Sequence, residues 1–359
     1  MLSGIRIIEI EGIGPGPFAG MTLADLGADV IVVQRKMPDG APGGARPPLT
    51  RGKRTIALDL KDADDVDLLK KLIATADGLI EGFRPGVMER LGLGPEECHA
   101  IQPALTYGRM TGWGQDGPMS RLAGHDMNYI SLSGALWYAS PPGQAPVTPP
   151  TVVGDIGGGA LYLVIGLLAG IMEARQTGKG RVVDAAIVDG TAHMMNLFLS
   201  LGAAGNLSYE RGQSLLDGPH WSRTYECADG GFMSVQCLEA KFYAIFRDKM
   251  GIADDPFFDE QMDRAQWPDQ GGRLATMFAM HPRAHWEALF ADTDACVAPV
   301  LPPQEAAAHP HMQARGTYLP SVGGLQAVAA PRFSGYDTTP RAVPDRNQHE
   351  AEIRAELGG

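Results

Sequence analysis

The 359-residue sequence has few cysteines and an excess of negative charge. Its four cysteines, Cys98, Cys227, Cys237 and Cys296, show no C-x-x-C spacing, which argues against a zinc ribbon and against a secreted disulfide scaffold. Lys and Arg number 30 against 42 Asp and Glu, a formal net charge of −12. Because nucleic-acid binders are usually basic, we expect no nucleic-acid partner, and any anionic ligand must meet a local cluster of cations.

Signals for secretion or membrane insertion are also scarce. The N-terminus has no charged segment followed by an apolar stretch and small residues, and the final Leu-Gly-Gly is not a retention signal. The longest apolar run, residues 156–172, contains five glycines and is short for a membrane span. We interpret this run as a buried helix and expect a cytoplasmic protein with no membrane span.

The chain is otherwise composed like an ordinary globular protein, with 44% apolar residues and a length that suggests two domains. In its first half, short apolar runs alternate with helical patterns such as residues 18–27 and 64–76. The predicted strands are Arg6–Ile10, Asp29–Val33, Thr55–Leu60, Gly78–Glu81, Leu105–Met110 and Arg181–Val188. This alternation predicts an α/β fold with a large Rossmann-like domain, a parallel sheet flanked by helices.

A smaller α+β domain is predicted to follow. Residues 224–226 and 231–235 form short strands joined by Ala-Asp-Gly-Gly, which is typical of a hairpin. Helical stretches follow at residues 241–250, 272–279 and 285–291, and the chain is irregular from Tyr318 onward. We predict a large domain over residues 1–187 and 330–359, a small domain over 220–315, and linkers over 188–219 and 316–329.

A glycine-rich turn follows the first strand. Residues 14–19 read Gly-Pro-Gly-Pro-Phe-Ala, the G-x-G-x-x-A pattern of a dinucleotide site in its strand–helix context. Pro15 and Pro17 remove amide donors that would hold a pyrophosphate. The second strand ends in Gln34 and Arg35 rather than an acidic residue, which favours NADP or coenzyme A over NAD. A tight turn without a ligand is the alternative.

Cations cluster in one part of the chain, with 11 of the 30 lying between residues 35 and 90. The cations on or near the second predicted helix lie among aspartates, which indicates a helix face exposed to solvent. Six others lie in turns or at strand ends, where parallel sheets bind ligands: Arg35, Arg51, Lys53, Arg54, Arg84 and Arg90. They suggest a polyphosphate ligand, and the alternative is charge that serves solubility alone.

Three residues are candidates for acid–base chemistry. His125 follows a glycine-rich loop, and an imidazole suits proton transfer near neutral pH, although a hydrogen-bonded loop histidine is the plainer interpretation. Asp155, in Val-Val-Gly-Asp-Ile-Gly-Gly-Gly, is either a helix N-cap or an acid–base carboxylate beside an anion site at the helix start. Glu239 follows a strand at the start of a helix and by itself is typical of a first-turn acidic residue.

The order of these motifs, over nearly the whole chain, resembles the family III CoA-transferase superfamily and, within it, racemases of 2-methylacyl-CoA thioesters. The segments that carry the resemblance are Gly12–Pro17, Asp25–Val30, Glu81–Gly86, Leu91–Gly94, Arg109–Gly114, Gly124–Asp126, Gly154–Gly159, Thr224–Cys227 and Ala330–Ser334. So many motifs in one order make the resemblance highly specific.

The resemblance implies a site and an assembly. His125, Asp155 and Glu239 would be catalytic, with Glu239 supporting the histidine. The expected substrate and CoA contacts are Arg35, Arg84, Arg90, the backbone of Leu58 and Leu60, Gly112 and Tyr129. The family forms an interlocked homodimer whose active sites lie between the large domain of one subunit and the small domain of the other. No metal or separate cofactor is expected, since coenzyme A is part of the substrate.

The implied reaction is a two-base proton transfer. One residue of the pair His125 and Asp155 would remove the α-proton of an acyl-CoA, and the other would return a proton to the opposite face of the enolate. Backbone N–H groups at Gly157 and Gly158 are the expected enolate donors. Met194 and Met195 are either an adaptable acyl surface or core. The alternatives are a CoA-transferase with Asp155 as nucleophile, an NADP oxidoreductase, and a non-enzymatic CoA-binding module.

Overall fold

The computed structural model describes residues 1–37, 47–321, 324–337 and 339–358. The chain divides into two compact units. The first comprises Met1–Ala135, Pro149–Met194 and Arg315–Gly359, and the second comprises Leu136–Thr148 and Met195–Ala314. These boundaries differ from the predicted ones, since residues 188–194 of the predicted linker are helical and pack within the first unit.

Strands and helices alternate through most of the chain. The strands are β1 (Arg6–Ile10), β2 (Asp29–Arg35), β3 (Arg54–Leu58), β4 (Gly78–Glu81), β5 (Thr106–Thr111), β6 (Val182–Ala186), β7 (Ser222–Glu226), β8 (Phe232–Gln236), β9 (Val297–Val300), β10 (Tyr318–Ser321) and β11 (Gly324–Ala327). Each predicted strand agrees with an observed one to within two residues at either end.

The helices are α1 (Pro15–Asp25), α2 (Ala63–Ile73), α3 (Val87–Arg90), α4 (Pro95–Ile101), α5 (Asp126–Leu132), α6 (Leu161–Thr177), α7 (Ile187–Met194), α8 (Asn196–Ser200), α9 (Ala240–Lys249), α10 (Trp267–Phe278), α11 (Arg283–Phe290), α12 (Pro303–Ala308), α13 (Pro310–Ala314) and α14 (Glu350–Glu356). A π-helix, Val152–Ala160, runs directly into α6.

The first unit is built on a six-stranded sheet in the order β3-β2-β1-β4-β5-β6. Every neighbouring pair in this sheet is parallel, which confirms the predicted Rossmann-like architecture. Side chains of β1 alternate between two buried faces. Ile8 packs with Leu69 of α2 on one face, and Ile7 packs with Leu23 of α1 and Leu167 of α6 on the other. Burial on both faces explains the nearly continuous apolar runs of these strands.

The apolar run that we predicted to be a buried helix is buried on one face only. Leu163, Leu167 and Ile171 of α6 pack against the sheet, whereas Ile165 is 61% and Met172 65% exposed. By length and composition, Val152–Thr177 could also cross a membrane. Its packing on the sheet identifies it instead as a core helix whose outer face is apolar.

The second unit contains the predicted hairpin. Strands β7 and β8 pair antiparallel, and β9 adds a third antiparallel strand beside β8. Aromatic side chains fill the core under this sheet, among them Trp221, Tyr243, Phe246, Phe258 and Phe278. This confirms the predicted α+β character of the second unit. Strand β9 was missed because Val297–Val300 is short and contains a proline.

The C-terminal segment is more regular than predicted. Strands β10 and β11 form a hairpin, and α14 buries Ile353 in the core of the first unit. Between them, His349 Nδ1 accepts a hydrogen bond from the Thr55 amide at 3.1 Å, and Asn347 Oδ1 accepts one from the Ala57 amide at 2.7 Å. Two side chains thereby cover the edge strand β3. Such capping leaves no periodic signal in the sequence.

Helix α14 is also held by charge. The Arg54 guanidinium donates to Asp29 at 2.6 Å, to Glu352 at 2.8 Å and to Glu356 at 2.5 Å. These partners raise the pKa of Arg54 in spite of its partial burial. One side chain on β3 therefore links β2 to the C-terminal helix.

We expect Arg54→Ala to lower the free energy of unfolding by about 1–2 kcal/mol, because three carboxylates lose a shared cation and, among the described residues, only Asp29 and Glu356 keep a second one, Arg6. Urea unfolding followed by circular dichroism measures the change. Arg181→Ala, which removes an exposed pair with Glu173, is the matched control and should leave the midpoint almost unchanged. Equal midpoints for the two variants would contradict this role of Arg54.

Candidate active site

A cavity of about 540 Å³ lies at the carboxyl ends of β1, β4 and β5. Its walls come from the loops that follow these strands, residues 11–17, 82–85 and 112–113. His125 and Asp155, from different parts of the chain, line the same cavity. In open parallel sheets, ligands bind where the strand order reverses, which here falls between β1 and β4. The first unit thus brings the two predicted acid–base residues to the expected place.

The glycine-rich turn after β1 forms the wall beside Asp155. Gly14 has a positive φ of +70°, which favours glycine, and a Cβ atom at this position would lie 3.7 Å from Asp155 Oδ2. Pro15 is the first residue of α1, where its missing N–H costs no helical hydrogen bond. The turn therefore lets backbone approach the carboxylate closely.

His125 is fixed by the start of α5. It occupies the N-cap position, and its amide donates to Asn128 Oδ1 at 3.0 Å. Its carbonyl accepts the amides of Asn128 and Tyr129. The backbone of His125 is thereby held, while its side chain remains exposed at the cavity.

Tyr129 and Gly112 support the same wall. A side chain on Gly112 would overlap the Tyr129 ring, so glycine is required there. The Tyr129 hydroxyl donates to the Gly124 carbonyl, and Trp113 packs edge-on at 4.7 Å between ring centroids. Burial and then the charge of Asp155 raise the pKa of Tyr129. Both predicted contact residues thus line the cavity and fix the residue before His125.

Asp155 lies on the π-helix, a rare conformation that is frequent at functional sites. The preceding Thr151 has a φ of +63°, which is unusual for a β-branched residue. The Asp155 amide donates to Asp126 Oδ1 at 2.8 Å. Burial raises the pKa of the Asp155 carboxyl, the charge of Asp126 raises it further, and His125 opposes both. A raised pKa keeps a larger fraction of this carboxyl protonated near neutral pH, so that it can act as an acid as well as a base.

The predicted enolate donors Gly157 and Gly158 lie elsewhere, outside the residues that line the cavity. A side chain on Gly158 would overlap Thr191 of α7, and one on Gly157 would lie 3.2 Å from Met194 Cε. Close packing of the π-helix on α7 therefore accounts for these glycines.

The predicted CoA contacts lie along one edge of the sheet. Arg84 lines the cavity, and Arg35 and Leu58 are the last residues of β2 and β3. The Leu58 carbonyl accepts the Lys36 amide at 3.3 Å, and the side chains of Leu58 and Leu60 pack in or against the core. Arg90 is exposed at the end of α3. This row leads outward from the cavity along the carboxyl ends of the strands.

Three of the six cations that suggested a polyphosphate ligand are structural instead. Arg51 pairs with Asp25, and Arg54 pairs with Asp29. Lys53 Nζ lies 2.6 Å from Glu9 Oε2 and 2.9 Å from the Pro17 carbonyl. Arg35, Arg84 and Arg90 remain as exposed cations at this edge.

Glu239 belongs to the second unit. It is the exposed N-cap residue of α9, and its carbonyl accepts the amides of Phe242 and Tyr243. The first unit alone does not supply this third predicted catalytic residue.

A buried ion pair that the sequence did not indicate holds the loop after β4. Glu81 Oε1 accepts a hydrogen bond from Arg109 Nε at 3.1 Å, and Glu81 Oε2 accepts the Phe83 amide at 2.8 Å. Arg109 also pairs with Glu89 at 2.8 Å. Burial outweighs these bonds and raises the pKa of Glu81 to about 7. The network fixes the segment that carries Arg84.

Comparison with known proteins gives the family. The model of CoA-transferase family III matches residues 2–350. The chain is 39% identical to mouse alpha-methylacyl-CoA racemase over 363 residues, covering 100% of this chain and 93% of that protein. It is 40% identical to the human racemase over 362 residues, covering 99% and 93%. A solved CAIB/BAIF family protein from Brucella suis superposes with a TM-score of 0.81 at 27% identity, covering 99% of this chain and 98% of that one.

This chain therefore belongs to CoA-transferase family III, which confirms the resemblance drawn from its motifs.

The pH dependence of stability tests the buried ion pair between Glu81 and Arg109. Because burial raises the pKa of the folded carboxyl from 4.5 to about 7, the native state keeps a proton that the unfolded chain releases above pH 4.5. Stability from this group is therefore lost as the pH rises from 4.5 to 7. Relative to Glu81→Gln, the free energy of unfolding of the wild type should fall across this window and then level off.

Urea unfolding at several pH values measures this difference, and parallel curves for the two proteins would contradict the raised pKa. Glu89→Gln is the matched control. Although desolvation opposes it, the hydrogen bond from Arg109 lowers the pKa of Glu89 below 4.5. Its contribution to stability should accordingly be lost as the pH falls below 4.5, the opposite direction.

Proposed function

We propose that this protein is a racemase that interconverts (2R)- and (2S)-2-methylacyl-CoA thioesters. The observation that carries the proposal is that His125 and Asp155 line one cavity at the reversal point of the sheet. The identity of about 40% to two alpha-methylacyl-CoA racemases over almost the full chain supports the same reaction. In this assignment the protein is an isomerase that acts on an acyl-CoA.

The proposed mechanism uses each residue on one face of the acyl carbon. In one direction, the Asp155 carboxylate removes the α-proton, and the electron pair of the C–H bond moves into the thioester to form an enolate. Protonated His125 then donates a proton to the opposite face, so that a new C–H bond forms with inverted configuration. The reverse direction begins with neutral His125 as base and protonated Asp155 as acid.

The electrostatics of Asp155 suit both directions. A carboxyl with an ordinary pKa is a weak acid–base match for an imidazole, because the proton would remain largely on the imidazole. Burial and the neighbouring Asp126 raise the pKa of Asp155, which narrows this gap. The raised pKa of Asp155 thereby favours the direction in which protonated Asp155 acts as the acid.

The CoA part of the substrate would bind along the exposed edge that leads from the cavity. Arg84 lines the cavity together with the reacting residues, and Arg35 and Arg90 are exposed, so that their side chains can meet phosphates. Contacts with the nucleotide supply binding energy that positions the acyl group. We propose that no further cofactor takes part, since both proton transfers use side chains and coenzyme A arrives with the substrate.

We further propose that the active enzyme is an interlocked homodimer in which Glu239 of one subunit orients His125 of the other. The apolar outer face of α6, with Leu161, Ile165 and Met172 exposed, supports an assembly that covers it. We also propose a cytoplasmic location, which is supported by four cysteines that are all free thiols, three of them buried.

A CoA-transferase is the second candidate, since the family takes its name from that activity. Asp155 is only half-buried and lines the cavity, so its carboxylate could attack a thioester and form an acyl anhydride. A second acid–base residue such as His125 is needed only by the racemase.

Isotope exchange distinguishes the two functions. With a single epimer of a 2-methylacyl-CoA in D₂O, we expect the wild type to incorporate deuterium at the α-carbon and to produce the other epimer. His125→Ala and Asp155→Ala should each lower epimerisation by about 10²-fold or more. Each variant should still exchange the α-proton of one epimer, and the two variants should prefer opposite epimers.

His311→Ala, which alters an exposed histidine of the second unit, is the control and should behave as wild type. Transfer of CoA to a free acid without α-deuterium would establish the transferase instead. Full epimerisation by either active-site variant would remove that residue from the mechanism.

A mixed dimer tests the shared site. We expect His125→Ala and Glu239→Ala homodimers to be inactive, because every site lacks one of the two residues. Co-expression with two different tags allows the heterodimer to be purified. One of its two sites then contains both native residues, so it should have about half the wild-type activity. An inactive heterodimer would indicate that both residues of a site come from the same chain.

A further inference from the structure

We propose that Asp126 is a positioning residue of this site, whose carboxylate fixes His125 and Asp155 relative to each other and sets the charge balance between them. This inference rests on the proposed racemase function. Asp126 follows His125 directly and is the first residue of α5, and it also contacts the backbone of Asp155. No other side chain described at the cavity is joined to both residues in this way.

The geometry makes Asp126 a rigid link. Its side chain is buried, with 5% of the residue exposed. Oδ1 accepts the Asp155 amide at 2.8 Å, across 29 positions of the sequence. A Cβ atom at Gly154 would lie only 2.5 Å from the same oxygen. Glycine at position 154 therefore leaves room for the Asp126 carboxylate. Any movement of the Asp155 backbone would break its hydrogen bond to Asp126.

The second carboxylate oxygen of Asp126 indicates that this residue does more than accept the Asp155 amide. Oδ2 of Asp126 is buried and has no hydrogen-bond partner among the described residues. An unpaired buried carboxylate oxygen costs free energy, and a native structure rarely keeps one without a reason. An asparagine would make the same bond to Asp155 without a buried charge. We infer that the negative charge itself serves the site.

That charge acts on the reacting pair. Titratable groups on the elements packed against the π-helix are Asp25 on α1, Tyr107 and Arg109 on β5, His125, Asp126 and Tyr129 at α5, Tyr162, Glu173 and Arg175 on α6, Asp184 on β6, and Asp189 and His193 on α7. Burial is the largest cause of the raised pKa of Asp155, and the charge of Asp126 is the second. The charge of His125 lowers this pKa. Asp126 thus keeps protonated Asp155 accessible as an acid while it holds the backbone that carries it.

Asparagine and alanine at position 126 separate the two roles. Asp126→Asn keeps the acceptor for the Asp155 amide and removes the charge. We expect kcat/KM for epimerisation to stay within about tenfold of wild type, while the acid limb of its pH profile moves to lower pH, since the pKa of Asp155 falls. Asp126→Ala also removes the acceptor, and kcat should fall by about 10²-fold, because the reacting groups are no longer held in place.

Two further variants complete the design. Asp67→Asn removes one exposed negative charge from α2 and should leave the acid limb where it is in the wild type. Gly154→Ala displaces the Asp126 carboxylate but keeps its charge, so kcat should fall as in Asp126→Ala. If Asp126→Asn does not fold, Gly154→Ala carries the test of positioning, and thermal unfolding identifies variants that are native.

The outcomes separate this inference from the function on which it rests. A wild type that shows no α-deuterium exchange refutes the racemase itself. If the wild type exchanges, an unmoved acid limb in Asp126→Asn or a native Gly154→Ala with wild-type kcat overturns the role of Asp126. A helix-stabilising role alone would lower the unfolding temperature without moving the acid limb.

Discussion

The active site depends on one topological constraint, the reversal of strand order beside β1. Strands β2 and β3 lie on one side of β1 in the sheet, and β4, β5 and β6 lie on the other side. The loops after β1 and β4 therefore diverge and leave a crevice between them, as in other open parallel sheets. Gly14 and Arg84 line the two sides of this crevice, and later segments add His125 and Asp155. Without the reversal, these four residues would have no common cavity.

Buried charge holds the walls of that cavity in place. Lys53 joins Glu9 of β1 to the Pro17 carbonyl of α1, and Arg109 joins Glu81 of β4 to Glu89 of α3. The chain has a net charge of −12, so most cations have carboxylates available to pair with. A cation that the fold pairs with a carboxylate is no longer available to an anionic ligand. The exposed arginines at the sheet edge are not part of these buried ion pairs.

Local pattern was sufficient for some of this architecture and not for the rest. Apolar runs located the strands, and their alternation with helices identified the parallel sheet, because these features depend on neighbouring residues. Motif order identified His125 and Asp155. The bond from Asp155 to Asp126 spans 29 positions and the Glu81–Arg109 pair spans 28, so neither has a local signature. Packing on α7 accounts for Gly157 and Gly158, and the sequence cannot show this because a glycine needed for helix packing looks like one needed for a ligand.

The discontinuity of the first unit has a consequence for how the protein is made. The amides of β3 are capped by His349 and Asn347, about 290 residues later in the chain. During synthesis the N-terminal part emerges first, and the whole second unit is translated before these caps. The nascent sheet therefore presents an open edge until residues 347–349 have been translated. Chains released early by a stalled ribosome would carry that edge uncovered and would be prone to aggregate through it.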